Sequence, residues 1–316
     1  MRACRYRLGW TKIQNKWYKT IGVVIGLLVF GYLAVEVYHS LMKIDIKSFL
    51  LNIRYGLLFL SILVLAFQVF CSAALWSLIV KNFDSSVTYR DCLTAYNLSL
   101  LAKYLPGGIW NHVGRVVYLQ KKGVSLVTTS SSIIFEALFL VASSVTIGGV
   151  LLFKSNSIPT WVIVFTYICM ILFLFWPNTV NVIINKILVL FKRKPLSYRL
   201  SRKNVLLIYL LFILSWGIYS FAFLLLVNAM NLEYSQGFLQ LAAILTSSWV
   251  VGYLSPTPGG IGVREGLMTF LFSRTSLASF SGLISVISRV WSICAEVLVI
   301  CLYLLFTGIQ NYSNRR

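Results

Sequence analysis

The chain has 316 residues, of which 59% are hydrophobic and only 11% charged, and its mean hydropathy is +0.83. That composition excludes a soluble domain of this size and reads as a polytopic helical membrane protein. The net charge of +20, from 28 Lys+Arg against 8 Asp+Glu, would suggest nucleic acid in a soluble protein; here it fits positive inner loops and attraction to anionic lipid, and no nucleic-acid partner is expected.

Residues 1–20 carry Arg2, Arg5, Arg7, Lys12, Lys16 and Lys19, a basic cytoplasmic flank with Trp10, Trp17 and Tyr18 suited to the interface. A full apolar span follows with no small-residue cleavage site, so the N-terminus reads as an anchor, not a cleaved signal peptide. Spans are predicted at 21–38, 55–80, 124–153, 159–176, 205–229 and 283–308. The stretch 39–54 is expected along the outer surface and 177–191, with Asn178, Asn181, Asn185 and Lys186, along the inner one. A tail at 309–316 ends in Arg315 and Arg316. The hydroxyl run Thr128–Ser132, with Ser143 and Ser144, suits close helix packing in the third of these spans. The six cysteines have no metal-ligand spacing and read as small packing residues; no metal and no cofactor are expected.

Two broken segments, 91–122 and 235–273, interrupt the pattern. The second contains Leu-Ser-Pro-Thr-Pro-Gly-Gly-Ile-Gly-Val-Arg-Glu-Gly at 254–266. Pro256 and Pro258 remove backbone donors, and Gly259 and Gly260 admit dihedrals costly to other residues. A helix entering from Gln236 must break there, and a second can begin near Gly260. Broken backbone at membrane depth is tolerated only where protein or a water-filled cavity surrounds it. The first segment echoes this: 103–115 reads Lys-Tyr-Leu-Pro-Gly-Gly-Ile-Trp-Asn-His-Val-Gly-Arg. Each copy is followed by a span with a glutamate in apolar sequence, Glu136 and Glu296. Paired Gly/Pro-interrupted segments in corresponding halves point to a transporter binding site.

Loop charge sets the expected topology. If each broken segment is a re-entrant hairpin returning to its own side, the N-terminus, 81–90, 121–122, the basic loop 192–203 and Arg315–Arg316 all fall inside. A full crossing by the first segment would place the 192–203 loop outside. The expected fold is therefore an all-α polytopic membrane protein with about six full spans plus two re-entrant broken-helix hairpins in an inverted repeat. One transmembrane domain covers 21–308, with repeat halves at roughly 55–176 and 205–308, and both termini are cytoplasmic.

The Lys-Tyr-Leu-Pro-Gly-Gly…Gly-Arg pattern, the Gly123-Val124-Ser125…Glu136 after it, and 256–266 resemble the flippase-like transmembrane region of bacterial lysylphosphatidylglycerol synthases, also found as stand-alone proteins. The likeness covers roughly residues 20–308. It implies a domain that moves lipid across the bacterial cytoplasmic membrane, without the synthases' soluble aminoacyl-transfer domain and its chemistry. Stand-alone relatives often accompany cell-envelope glycan or glycolipid pathways. The expected substrate is thus an anionic phospholipid or a polyprenyl-phosphate or glycolipid, with proteins of such a pathway as candidate partners.

Several residues fit that reading. A guanidinium matches phosphate oxygens bidentately, so Arg264 and Arg115 are candidate phosphate ligands, helped by the helix N-terminus after each Gly-Gly. The alternative is that each arginine pairs with a glutamate and locks its hairpin. Glu136, Glu265 and Glu296 read as counter-ions to these arginines and to Arg289. Lys103 either joins the site or snorkels. Gly107, Gly108, Gly259, Gly260 and Gly262 shape the backbone, and His112 beside Asn111 lines a cavity or packs. A small-solute or ion transporter shares the broken-helix logic. A membrane-embedded glycosyltransferase would need outer acidic residues, of which Asp45 is the lone candidate, and a pathway scaffold needs no site. No catalytic residue is assigned, and no nucleotide-binding Gly-x-x-x-x-Gly-Lys-Ser/Thr is present.

Overall fold

A computed structural model describes residues 49, 51–104, 109–154 and 201–313, with single positions between 167 and 190. The flank 1–20, the span 21–38, most of 159–191, the loop 192–200 and the first turn at 105–108 lie outside the described residues. Every regular element among the described residues is helical. In chain order these are α1 (Tyr55–Phe83), α2 (Tyr89–Ser99), a 3-10 turn (Leu100–Tyr104), α3 (Trp110–Lys121), α4 (Leu126–Lys154), α5 (Arg202–Ala229), α6 (Phe238–Leu254), a 3-10 turn (Pro258–Gly260), α7 (Val263–Phe272), a 3-10 turn (Ala278–Phe280) and α8 (Ser281–Ser313). Among the described residues, four stretches are long and apolar enough to cross a membrane: Tyr55–Phe83, Leu126–Gly149, Arg202–Ala229 and Ala278–Phe306.

The long helices are apolar on all sides because each faces protein on one side and is left free for lipid on the other. On α1, Leu65, Ala73 and Trp76 are buried while Phe59 and Phe67 are exposed. The helix starts are set by hydroxyls. Thr88 accepts from the Asp91 N–H at 3.1 Å, Ser125 from the Thr128 N–H at 3.0 Å, and Ser201 from the Asn204 N–H at 3.2 Å. Each such cap stabilises its helix by about 1 kcal/mol.

α1 and α5 pack antiparallel along their length. The Arg54 N–H donates to the Ala229 carbonyl at 2.9 Å at one end, Gln68 Nε2 to Ser215 Oγ at 3.0 Å in the middle, and Asn204 Nδ2 to Asn82 Oδ1 at 2.6 Å at the other end. α8 runs beside α1, with Trp291 Nε1 donating to Ser61 Oγ at 3.0 Å. α4 joins α5 through the stacked rings of Phe139 and Phe212, 5.7 Å apart, and through Trp216 Nε1 donating to Ser143 Oγ at 3.0 Å. Thr129, Ser131, Ser132, Ser143 and Ser144 are all buried on α4. Several return their hydroxyls to the preceding helical turn, as Ser143 does to the Phe139 carbonyl, which satisfies them without a partner helix.

Each broken segment is a pair of short helices whose outer ends come back together. Lys122 Nζ, just past α3, lies 3.2 Å from Asp91 Oδ1 at the start of α2. Ser276 Oγ, past α7, donates to Gln236 Oε1, before α6, at 2.9 Å. The first pair opens five residues after α1 ends, on the Asn82–Asn204 side. The second opens eight residues after α5 ends, on the Arg54–Ala229 side. The two bases therefore sit at opposite ends of the α1–α5 pair.

Candidate functional site

The inner ends of the two broken segments meet. In the first, α2 tightens into the 3-10 turn Leu100–Tyr104, which brings Lys103 and Tyr104 to its tip. In the second, α6 stops at Leu254, where Ser255 turns extended (φ −73°, ψ 150°). Gly259, Gly260 and Gly262 follow with φ of 59°, 70° and 85°. A β-carbon on Gly260 would sit 2.8 Å from the Gly252 carbonyl oxygen, and one on Gly252 would sit 2.7 Å from Arg264 Cβ. The Pro-Gly-Gly turn is thus folded flat onto the last turn of α6, and only hydrogen at both positions allows α7 to start so close. This contact places Arg264, the second residue of α7.

Five charged side chains gather at the junction. Lys103 Nζ lies 2.6 Å from Glu296 Oε1 on α8, and the Tyr104 hydroxyl donates to Glu296 Oε2 at 3.0 Å. Arg289, two turns before Glu296 on α8, donates to the Gly259 carbonyl at 2.9 Å and lies 3.5 Å from Glu265 Oε1. Its guanidinium also stands 5.1 Å from the centre of the Tyr104 ring. Glu265 Oε2 accepts the Gly262 N–H at 2.7 Å. Arg264 is 6% exposed and donates through Nη2 to the Tyr219 hydroxyl at 3.1 Å. Its Nε has no hydrogen-bond partner, and no carboxylate among the described residues pairs with it within 4 Å. Among the described residues, three cations (Lys103, Arg264, Arg289) thus face two carboxylates (Glu265, Glu296), an excess of one positive charge.

Arg115 is in a different situation. It is 3% exposed and bonds Glu136 Oε2 through Nη1 at 2.5 Å. Its guanidinium lies over Tyr96 at 3.9 Å and beside Trp76 at 5.0 Å. Its Nε, like that of Arg264, has no hydrogen-bond partner, but cation and carboxylate balance there, and two rings lie against the guanidinium. Gly107 and Gly108 lie outside the described residues. Asn111 Oδ1 accepts the His112 backbone N–H at 2.9 Å, and His112 Nδ1 is buried without a partner.

A cavity of about 90 Å³ lies beside the junction, lined by Gln68, Ser72, Tyr96, Lys103, Ser215, Tyr219, Trp249 and Glu296 among others. Space of this size with these polar groups suits a few water molecules. Trp249, Trp216, Tyr219 and Trp291 form a ladder along it, with successive ring centres 5.0, 5.7 and 6.0 Å apart.

Two features stand beside the sequence reading. Glu265, the third residue of α7, reaches back to the Gly262 N–H just before the helix and satisfies one N–H group at that terminus. Tyr219, Tyr104 and Tyr96 were not assigned roles: tyrosines in apolar spans look like packing, and nothing in their spacing reveals that each meets a charged group from a distant segment.

Residues 20–305 match the protein family described as Lysylphosphatidylglycerol synthase TM region. No curated protein matches the chain.

Proposed function

Because the chain belongs to the lysylphosphatidylglycerol synthase transmembrane-region family, a family of membrane proteins tied to lipid handling, we propose that it is a multi-pass translocase for an anionic lipid. The observation that carries this reading is Arg264, which no carboxylate among the described residues pairs. A cation at bilayer depth costs roughly 2.5–3.5 kcal/mol on insertion scales, and its neighbours already use both nearby carboxylates. A lipid phosphate would supply the missing negative charge and accept from the unpartnered Nε, with the guanidinium fork favouring that contact. Lys103 and Arg289 flank that place and add to its potential.

In this reading the two broken segments are re-entrant hairpins entering from opposite faces, within about six full spans, and they form an inverted repeat. The return of Lys122 to Asp91 and of Ser276 to Gln236 supports it, as does the placement of the two bases at opposite ends of the α1–α5 pair. The head group would pass through the junction by loosening one hairpin tip and then the other, while the tails stay in the bilayer. The 90 Å³ cavity is too small for a head group, so this conformation would be the closed one between two open states. The protein would lie in the bacterial cytoplasmic membrane with both termini inside. An anion moving outward would be helped by about 2.3 kcal/mol per charge per 100 mV. Anionic phospholipid and polyprenyl-phosphate or glycolipid substrates of envelope assembly both present the required phosphate, and proteins of such a pathway would be its partners.

The test is reconstitution of the purified chain in liposomes carrying fluorescent phosphatidylglycerol, with leaflet exchange followed by quenching from outside. The proposal expects exchange well above protein-free vesicles. Exchange at the protein-free rate for every anionic lipid tried, with uptake of inorganic phosphate into the same vesicles, would replace it with a small-solute transporter.

A further inference from the structure

A second, larger feature lies away from the charged junction. Between α1, α2 and α8 runs an open groove of about 740 Å³, within the ~300–1,000 Å³ of ligand sites. Its floor holds Ala66 and Val299, which are buried, and its walls hold Phe67, Leu302 and Phe306, which are exposed. Arg90 is the one charged residue among those lining it, and it stands at one end. Below the groove, Thr94 Oγ1 and the Tyr303 hydroxyl are hydrogen-bonded at 2.5 Å, which ties α2 to α8.

We propose that this groove is a binding site for one anionic phospholipid of a single leaflet, with its acyl chain along α8 and its phosphate on Arg90. Three observations choose that occupant. The first is length. From Leu298 to Phe306 α8 rises about 12 Å, less than one leaflet's half of the roughly 30 Å hydrocarbon core. A transmembrane helix or a second copy would need a face along the whole span. The second is charge. The Arg90 end also carries Lys81, whose Nζ lies 4.2 Å from the centre of the neighbouring Tyr89 ring, and Lys122, which meets Asp91. Basic groups at the mouth of an apolar slot complement a phosphate above a hydrocarbon tail. The third is continuity with the junction. Val299 lies one turn from Glu296 on α8, and Leu93 one turn from Tyr96 on α2, and Glu296 and Tyr96 line the inner cavity. A lipid seated in the groove is thus held one helical turn from the charged junction. The site stands whether or not the junction carries lipid across.

The experiment is native mass spectrometry of the full chain released from nanodiscs of equal phosphatidylglycerol and phosphatidylcholine. One phosphatidylglycerol should remain bound in preference to phosphatidylcholine. Arg90→Glu should lower that preference about tenfold, the scale of a lost charge-assisted phosphate contact. Leu302→Trp, on the exposed wall, should displace the lipid by filling the slot. Arg264→Gln should keep it, which separates this site from the junction. The proposal is overturned if the wild-type chain retains neither lipid in preference, which would leave the groove to the apolar segment 21–38. It is also overturned if both groove variants bind as the wild type does, or if Arg264→Gln alone strips the lipid.

Discussion

Arg115 and Arg264 each follow a Pro-Gly-Gly turn, by seven and by four residues, yet their surroundings make them different residues. Arg115 is closed by Glu136 and covered by Tyr96 and Trp76. Removing one partner of such a buried pair leaves the other charge stranded, at a cost of about 3–5 kcal/mol. Arg115→Gln should therefore lower the melting temperature measurably in detergent, and adding Glu136→Gln should recover most of the loss. Arg264 holds one hydrogen bond, to Tyr219, so Arg264→Gln should leave the melting temperature near wild type while abolishing lipid exchange. Arg264→Lys keeps the charge without the fork and should exchange lipid slowly. Double variants decide between a phosphate ligand and a mere counter-ion. If Arg264→Gln with Glu265→Gln or with Glu296→Gln regains wild-type exchange at matched expression, the phosphate role is lost.

At the scale of the element, the decisive contact is the fold-back of the Pro-Gly-Gly turn on α6. Gly260 combines a φ of 70° with a carbonyl 2.8 Å from where a β-carbon would stand. Gly260→Leu meets both obstacles, a strain of about 1–3 kcal/mol for the dihedral alone. It should push the start of α7 away from α6 and move Arg264 off Tyr219. The expected outcome is a membrane-inserted protein without lipid exchange; full activity would show the turn to be a passive kink. Gly252→Leu reaches the same place from the other side, since its side chain would drive into Arg264 Cβ. It should resemble Gly260→Leu in exchange assays although its own dihedral is helical, because what fails is the approach of two helices.

For the whole molecule the prediction concerns sidedness. If the hairpins enter from opposite faces, Lys121 and Ser201 share the cytoplasmic side and Arg274 lies outside. Single cysteines at these exposed positions, on a cysteine-free background, should label from outside intact cells at 274 only. Labelling at 201 from outside would break the inverted arrangement. The two base contacts, Lys122–Asp91 and Ser276–Gln236, support opposite faces for the two segments, and loop charge alone says which face is cytoplasmic.

Much of the architecture was determined by local sequence. Apolar runs of sufficient length announce spans wherever they occur, so 205–229 and 283–308 anticipate α5 and α8 to within a few residues. Proline and glycine act on their own backbone, so the break at 254–260 was legible without any neighbour. Charges in apolar sequence were legible as a group for the same reason: their cost at depth is a property of the residue. Their partners were not legible. Lys103 meets Glu296 across 193 positions, and Arg264 meets Tyr219 across 45, so no local pattern records them. The reach of Glu265 back to Gly262 was open to reading from spacing alone, and it takes one of the N–H groups at the terminus the same residues offered an anion. Which arginine is closed by a carboxylate and which is left with a charge to fill was decided only when the tertiary structure brought the inner ends of the two broken segments against α8, because a buried charge is balanced by what surrounds it in space.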